Sequence, residues 1–526
     1  MNDVRFARAA ALVKALGRAD VGPQGDLATA LRIGLPFSLW EVVETTLLMY
    51  RFPLLFSPRD GTAVPATREM RLRPYRGLLA RARDRVSRPS RTSAGVTRWP
   101  REGRAILFPG FVEGFYRDVL QTVAERLSQD GTPVVVLREG PAPVMQWSAT
   151  APMAHSIWEH WDREAGLLER DLRSRLHEVA GALFARDRLA DWCDALWPEF
   201  GKVALAHDLR WLFWRELPRL LPRVVIATRI FAKHAPELVV SADDADPRCR
   251  IYALLANSTS VPTLLVQQGL LRHDVPEYQF LAHDRIAAMG QSSVDDMVAH
   301  GVAADRIVVT GQPGFDEMTT ASGQANDIRA ELGLPPGAKV TLFASQPPVP
   351  GAFVDKGSRR EMIATLVRLV ARAEDRVLVI KPHPGDRVDE LLALARGASN
   401  VKIVDRRRSI APFIRACDVF VTFFSTSALQ ALYAGKPVIN LDFAGDEGVL
   451  MYADSSATWV ARSAEELASH LDQLLGDRAA EAVRSKTAAR GRILAAVVHH
   501  TDGLATARVC EVARALVARR KEAPCA

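Results

Sequence analysis

The sequence predicts two α/β domains, each built on a parallel sheet, facing one another across a cleft and preceded by a helical extension. Three observations predict it. Short, almost wholly apolar runs alternate with helical segments, which is how strands buried on both faces of a parallel sheet read. The runs fall into two blocks, 105–310 and 339–441, separated by a stretch, 319–337, containing glycine, asparagine and proline. The runs stop at glycine, proline or small polar residues, and in open α/β sheets ligands bind beyond those carboxyl ends.

The 526 residues are enough for two or three cores, and the 48% apolar content is that of an ordinary globular chain. Five cysteines are widely spaced and form no CxxC pair, which excludes a disulfide framework or a zinc site and fits a reducing compartment. His499-His500 lacks partners at metal-ligand spacing, so no metal is expected. No long apolar segment opens the chain and none approaches about 18 residues, so a cytoplasmic protein is expected.

The extension, 1–100, has two parts. Residues 31–56 are rich in Leu, Phe and Trp, interrupted by Glu41 and Glu44. Residues 67–104 carry twelve arginines against Glu69, Asp84 and Glu102, a local excess above the +7 of the whole chain. Such a pair suits an in-plane anchor on an anionic membrane surface through 31–104. It equally suits a small helical subdomain with a solvated basic face. No stacking motif or recognition helix accompanies it, so nucleic acid is not expected.

The first block opens with a strand over 105–108, a loop over 109–114 that holds Glu113, a helix over 115–127 and a strand over 133–137. Residues 147–233 read as helical throughout, and their tryptophans as core. A strand over 238–240 ends at 241–246, where Asp243 and Asp244 are candidates for the general base that deprotonates an acceptor hydroxyl. Helix N-capping is their competing role. The strand 263–266 ends at Gln267-Gln268-Gly269, and His273 beyond it is the alternative base. Strands over 285–289 and 306–310 close the block.

In the second block a strand over 339–344 ends at Ser345-Gln346. The run 376–380 ends at Lys381-Pro382-His383-Pro384-Gly385, where two prolines forbid its continuation. The run 419–423 ends at Ser425-Thr426-Ser427 and enters a helix closed by Gly435, followed by a strand over 437–441. The expected site joins these two strand ends on one anion: Lys381 supplies charge, His383 a donor, and the hydroxyl turn further donors. A simple cap and a loop histidine are the competing reading.

The Lys-x-His-Pro turn, the Ser/Thr turn and the run ALQALYAGKPVI over 428–439 resemble the C-terminal domain of GT-B glycosyltransferases. The similar group is the bacterial surface-polysaccharide set, which includes CDP-glycerol glycerophosphotransferases and CMP-sialic acid and CMP-Kdo transferases. The run through Arg306 to Asp316 resembles the end of their first domain. The resemblance implies two Rossmann-like domains: an acceptor domain over 101–320 with a helical insertion at 147–233, and a nucleotide donor domain over 338–500. A crossover helix and tail over 501–526 complete it. It implies that His383, Ser425, Thr426 and Ser427 hold the donor phosphate. Gln430 stands where many relatives carry a ribose-binding Glu, and Gln268 where they often carry His. Gln346 lies in a Gln-Pro turn similar to that of Kdo-type enzymes, and Glu113 and Gln268 fall on the acceptor side. The function implied is metal-independent transfer, without a cofactor, of a sugar or polyol phosphate. The donor is cytidine-type, such as a CMP-sugar; the acceptor is a glycan or lipid-linked glycan of a growing surface or capsular polysaccharide. The expected location is cytoplasmic, and peripheral on the inner face of the cytoplasmic membrane if 31–104 is an anchor. Two alternatives stand beside it: a nucleotide-sugar 2-epimerase of the same fold, and a non-catalytic subunit of a glycan assembly complex.

Overall fold

Every strand in both sheets runs parallel to its neighbours. The computed structural model describes residues 4–21, 24–56, 60–64, 99, 105–109, 116–139, 153–185, 188–201, 205–270, 276–319, 324–346, 356–383, 385–423, 425–443 and 456–522. The first sheet contains β1 (Ile106–Phe108), β2 (Val134–Arg138), β3 (Met153–Ser156), β4 (Leu238–Ser241), β5 (Thr263–Val266), β6 (Arg285–Ala288) and β7 (Ile307–Val309), in the order β3-β2-β1-β4-β5-β6-β7. The second contains β8 (Lys339–Ala344), β9 (Arg376–Lys381), β10 (Val401–Ile403), β11 (Val419–Thr422), β12 (Val438–Leu441) and β13 (Trp459–Ala461), in the order β10-β9-β8-β11-β12-β13.

Strand order reverses between β1 and β4 in one sheet and between β8 and β11 in the other. Loops leaving two such strands diverge to opposite faces and open a crevice for a ligand. The loops that follow β4, β8, β9 and β11 carry most of the candidate site residues.

Three strands escape the sequence reading: β3, β10 and β13. All three lie at sheet edges, where one side needs no partner and polar residues such as His155 and Lys402 are tolerated. β3 also corrects the expectation that 147–233 is helical throughout. The rest of that stretch is helical from Arg163 to His234, with breaks. Its Trp192 is buried and Trp158, Trp161 and Trp211 pack on the same core, but Trp214 is exposed.

The extension is part of the first domain's core. Ser38 and Glu41 form a capping box that starts the helix Leu39–Tyr50. From that helix and the following turn, Leu39, Val42, Leu47, Leu48, Phe52 and Leu55 are buried against Leu176, Val224 and Ile251. This corrects the membrane-anchor expectation for 31–56: an apolar face spent on the core has none left for lipid. The polybasic segment lies outside the described residues except for Trp99. Among the described residues, no helix is long and apolar enough to cross a membrane.

Trp99 stacks on His234 at 3.8 Å between ring centroids and lies within 6 Å of His155 and His160. Burial, helped by Lys233, depresses His160 and His234 from 6.5 to about 4. Arg138 and Arg229 also disfavour protonation in the cluster, and Glu159 favours it at His155. The unfolded chain takes up these protons near pH 6.5 and the folded one only near 4. The cluster's stability is therefore complete above 6.5 and is lost as pH falls toward 4. A His160→Phe/His234→Phe variant should lose less stability than the parent between pH 7 and pH 5 in urea unfolding. Equal losses would remove the cluster as the cause.

The helix Ala505–Glu522 returns to the first domain, where Val509, Cys510 and Ala513 pack with Val119, Leu120 and Val123. Asp316 receives its first amides, Ala505 N at 3.1 Å and Thr506 N at 2.7 Å. Gly314 permits the close packing nearby, because a Cβ there would lie 2.4 Å from the Asp118 carbonyl oxygen.

Candidate active site in the interdomain cleft

The loop after β4 sends its two neighbouring aspartates in opposite directions. Asp244 points inward and is 1% exposed. It pairs with the Arg250 guanidinium at 2.5 Å and with His283 Nδ1 at 2.7 Å, and His283 Nε2 lies 2.5 Å from Ser241 Oγ. Serine, histidine and aspartate follow in the order of an acyl-transfer triad. All three are fully buried, however, and no substrate reaches Ser241. The expectation that Asp244 serves as base is thereby corrected: it anchors the loop.

Arg250, itself 1% exposed, also donates to the carbonyls of Glu41 and Phe280 and to Glu44 Oε1. Burial pushes Glu44 up to about 8. Thr46 Oγ1 donates to the Ala245 carbonyl at 2.7 Å. The extension is thus bolted to the loop that carries the candidate base. Removing one partner of a buried ion pair leaves an uncompensated charge, and Arg250→Ala should cost about 3–5 kcal/mol in urea unfolding. A loss below about 1 kcal/mol would refute this anchoring role.

Asp243 faces the cleft. Its Oδ1 accepts the amides of Ala245 at 2.7 Å and Asp246 at 3.1 Å, and its Oδ2 lies 2.9 Å from the Tyr116 hydroxyl. The same hydroxyl is 3.0 Å from Asp246 Oδ2. A phenol carries one hydrogen and can satisfy only one carboxylate at a time. Asp246 is already gripped by Arg248, with Nε 2.9 Å from both carboxylate oxygens, and it caps the helix Pro247–Ser258. Turning the Tyr116 hydrogen to Asp246 frees Asp243 Oδ2 to take a proton. Burial and the Asp246 charge raise Asp243 to about 6, close to the range a general base needs near neutral pH. Burial, with the charges of Asp243 and Asp244, also pushes Glu277 up to about 8.

A cavity of about 670 Å³ opens here, with Asp243, Asp246 and Tyr116 on one wall and His383 and Gly385 on the other. The two domains therefore present the candidate base and the candidate donor loop to the same space. His383 Nδ1 accepts the Gly385 amide at 3.0 Å, which leaves the ring hydrogen on Nε2. Burial lowers the imidazole's affinity for a second proton.

The loop is held by residues the sequence reading missed. Asp386 accepts the His383 amide at 2.8 Å and pairs with Arg359 at 2.8 Å. Arg359 is buried and also donates to Ser345 Oγ at 2.8 Å and the Gln346 carbonyl at 2.6 Å, tying the ends of β8 and β9 together. Asp386 stands directly after the His-Pro-Gly turn, a signal available in the sequence; Arg359 sits a helix away and gives none.

Several expected residues are placed differently. Lys381 is 6% exposed and its Nζ donates to the carbonyls of Pro382 and Arg406, so it pins the turn instead of offering its charge to a ligand. β9 and β11 are not neighbours, because β8 runs between them. The hydroxyl turn therefore lies about 10 Å along the sheet edge from His383 by strand spacing, and it is not in the wall of the 670 Å³ cavity. Ser425 Oγ accepts the Ser427 amide at 3.3 Å and the Ser427 hydroxyl at 2.9 Å. Thr426 Oγ1 accepts the Leu270 amide at 3.1 Å across the domain seam. Gln430 is buried and donates to the Gly314 carbonyl at 3.3 Å, which turns its amide from a ribose toward the seam. The Gln268 carbonyl accepts Gln312 Nε2 at 3.2 Å. Glu113 and His273 lie outside the described residues. No group of three or more metal-ligating side chains occurs among the described residues.

In comparison with known proteins, residues 289–513 match the family model for CDP-Glycerol:Poly(glycerophosphate) glycerophosphotransferase. No curated protein matches the sequence. The wall teichoic acid polymerase TagF superposes with a TM-score of 0.51 at 14% identity, over 79% of this chain and 90% of that one. A TagF variant soaked with CDPG gives 0.51 at 12% identity, over 86% and 98%. The chain has the GT-B fold. A GT-B relative of lower score, a UDP-N-acetylglucosamine 2-epimerase described as putative, from Listeria monocytogenes, reaches 0.49 at 14% identity over 78% and 96%. The family match spans the GT-B second domain, the hydroxyl turn and the His-Pro turn.

Proposed function

We propose that the chain is a glycosyltransferase-type enzyme that moves a polyol phosphate or a sugar from a cytidine-activated donor to a growing cell-envelope polymer. The carrying observation is that Asp243 and His383, from different domains, line one cavity. The family match over residues 289–513 supports a donor of the CDP-glycerol kind and keeps a CMP-sugar as the second candidate.

In this reading the donor lies along the edge of the second sheet. Its phosphate takes the Nε2 hydrogen of His383, and the Ser425–Ser427 turn, on the same edge, supports the nucleotide side. The acceptor hydroxyl gives its proton to Asp243 Oδ2 while its oxygen attacks the phosphorus, or the anomeric carbon of a CMP-sugar. The bond to the leaving CMP breaks, and the electron pair stays on the CMP phosphate. Hydrogen-bond donors aimed at that phosphate stabilise the charge as it develops. Asp386 and Arg359 hold His383 in place, and Tyr116 tunes the base. Closure of the cleft excludes water and limits donor hydrolysis.

The experiment is a thermal-shift screen of CDP-glycerol, CMP-sugars, UDP-sugars and GDP-sugars on the whole chain, followed by assay of CMP release. A cytidine-type donor should raise the midpoint, and CMP release should depend on acceptor. A shift confined to UDP-sugars, with epimerised nucleotide-sugar formed without acceptor, would replace this reading with the epimerase.

A further inference from the structure

Resting on the transferase reading, we propose that the first-domain side of the cleft is a subsite for a neutral, hydroxyl-rich acceptor end, a sugar or polyol, with Tyr50 as its stacking platform. Tyr50 is the last residue of the helix Leu39–Tyr50, whose apolar face is otherwise buried. Yet Tyr50 is 53% exposed and lines the same cavity as Asp243 and His383. Its ring stands open beside the candidate base, and an aromatic face suits the C–H surface of a sugar ring. The platform is rigid. Thr46 of the same helix is bonded to the Ala245 carbonyl, and Arg250 holds the Glu41 carbonyl, so the helix cannot shift without the loop that carries Asp243.

The charge pattern selects the ligand class. Arg219, Arg223 and Arg248 also line the cavity. Each is already answered by a carboxylate: Arg219 by Glu216 at 2.6 Å, Arg223 by Glu139 through bonds of 2.9 and 2.6 Å, and Arg248 by Asp246 at 2.5 Å. The wall itself carries these three guanidiniums with the carboxylates of Asp243 and Asp246, while Glu216 and Glu139 hold Arg219 and Arg223 from outside the lining. Among the described residues each of these guanidiniums is already held by a carboxylate, so a phosphate monoester would have to break an existing ion pair to gain one of its own and would lose water in entering. A hydroxyl both donates and accepts, and planar ion pairs fixed in one geometry offer N–H groups and oxygen lone pairs side by side. The cavity volume lies in the range of small-molecule sites. In this proposal the phosphate-bearing partner of the reaction lies on the His383 side, and the acceptor's uncharged end on the Tyr50 side.

Saturation-transfer NMR on the whole chain tests this. The neutral probes are a panel of methyl glycosides, maltotriose and glycerol; the anionic probes are sn-glycerol 3-phosphate and glucose 6-phosphate. At least one neutral probe should bind. Its signal should fall at least fivefold in Tyr50→Ala and persist in Tyr50→Phe, and the phosphorylated probes should bind at least tenfold more weakly. Tighter binding of the phosphorylated probes, an unchanged signal in Tyr50→Ala, or no binding by any neutral probe would overturn the proposal. Titration with CDP separates the two readings. Saccharide binding without CDP binding would strike the transferase reading and leave the subsite standing, whereas CDP binding unchanged in Tyr50→Ala assigns the loss to the acceptor side.

Discussion

Replacing His383 with alanine should weaken binding of a cytidine-type donor roughly 10- to 150-fold, the worth of one hydrogen bond to a charged group, about 1.5–3 kcal/mol. The fold should be unaffected, because the features that shape this loop lie in its neighbours. Asp386 holds the His383 backbone amide, which alanine retains, and Arg359 holds Asp386. What the variant loses is the imidazole: the hydrogen on Nε2 and, within the loop, the Nδ1 acceptor of the Gly385 amide. Calorimetric titration of CMP or CDP-glycerol into the parent and the variant measures the loss. Equal affinities would remove His383 from the site. His383→Gln should recover part of the affinity, since an amide keeps a donor there, whereas a merely structural histidine would gain nothing from it.

Asp243→Asn should lower turnover by about 10²- to 10⁴-fold, the span of general base catalysis, with donor affinity little changed. The parent's kcat/KM should fall as pH drops through about 6, where Asp243 takes up its proton. The same variant should be more stable than the parent at pH 7. Burial and the Asp246 charge raise Asp243 from 3.8 in the unfolded chain to about 6 in the folded one. The folded state therefore binds this proton more tightly, and the parent loses stability as pH rises from 4 through 6. Asparagine carries no charge to bury and escapes that loss, on the order of 1–3 kcal/mol. Its Oδ1 can still accept the amides of Ala245 and Asp246. A variant with normal turnover would show that the base lies elsewhere; one that loses turnover and stability together would point to damage of the loop.

The fold was legible because a parallel sheet buried on both faces leaves unmistakable apolar runs. Thr263–Val266 and Lys339–Ala344 could be bounded to the residue. The strands that stayed hidden, Met153–Ser156, Val401–Ile403 and Trp459–Ala461, are edge strands with only three or four residues to signal them. The site was legible only in part. Strand ends could be found, but not which ends are neighbours, and Lys381 and Gln430 look like ligands until their long side chains are seen spent on carbonyls of the loop and the seam. Asp243 and Asp244 are indistinguishable in sequence. Only the fold sends one to Arg250 and the other to the cleft. Tyr50 gave no signal either, since an aromatic inside an apolar run reads as core.

A crystal structure of the whole chain with CDP-glycerol, supported by a CMP-sugar soak, bears most directly on the central claim. The cleft reading predicts the donor along the edge of the second sheet, with a phosphate oxygen within hydrogen-bond distance of His383 Nε2 and the transferred group facing Asp243 across the cavity. A donor phosphate bound on another face of the molecule, with His383 and Asp243 touching nothing, would contradict it.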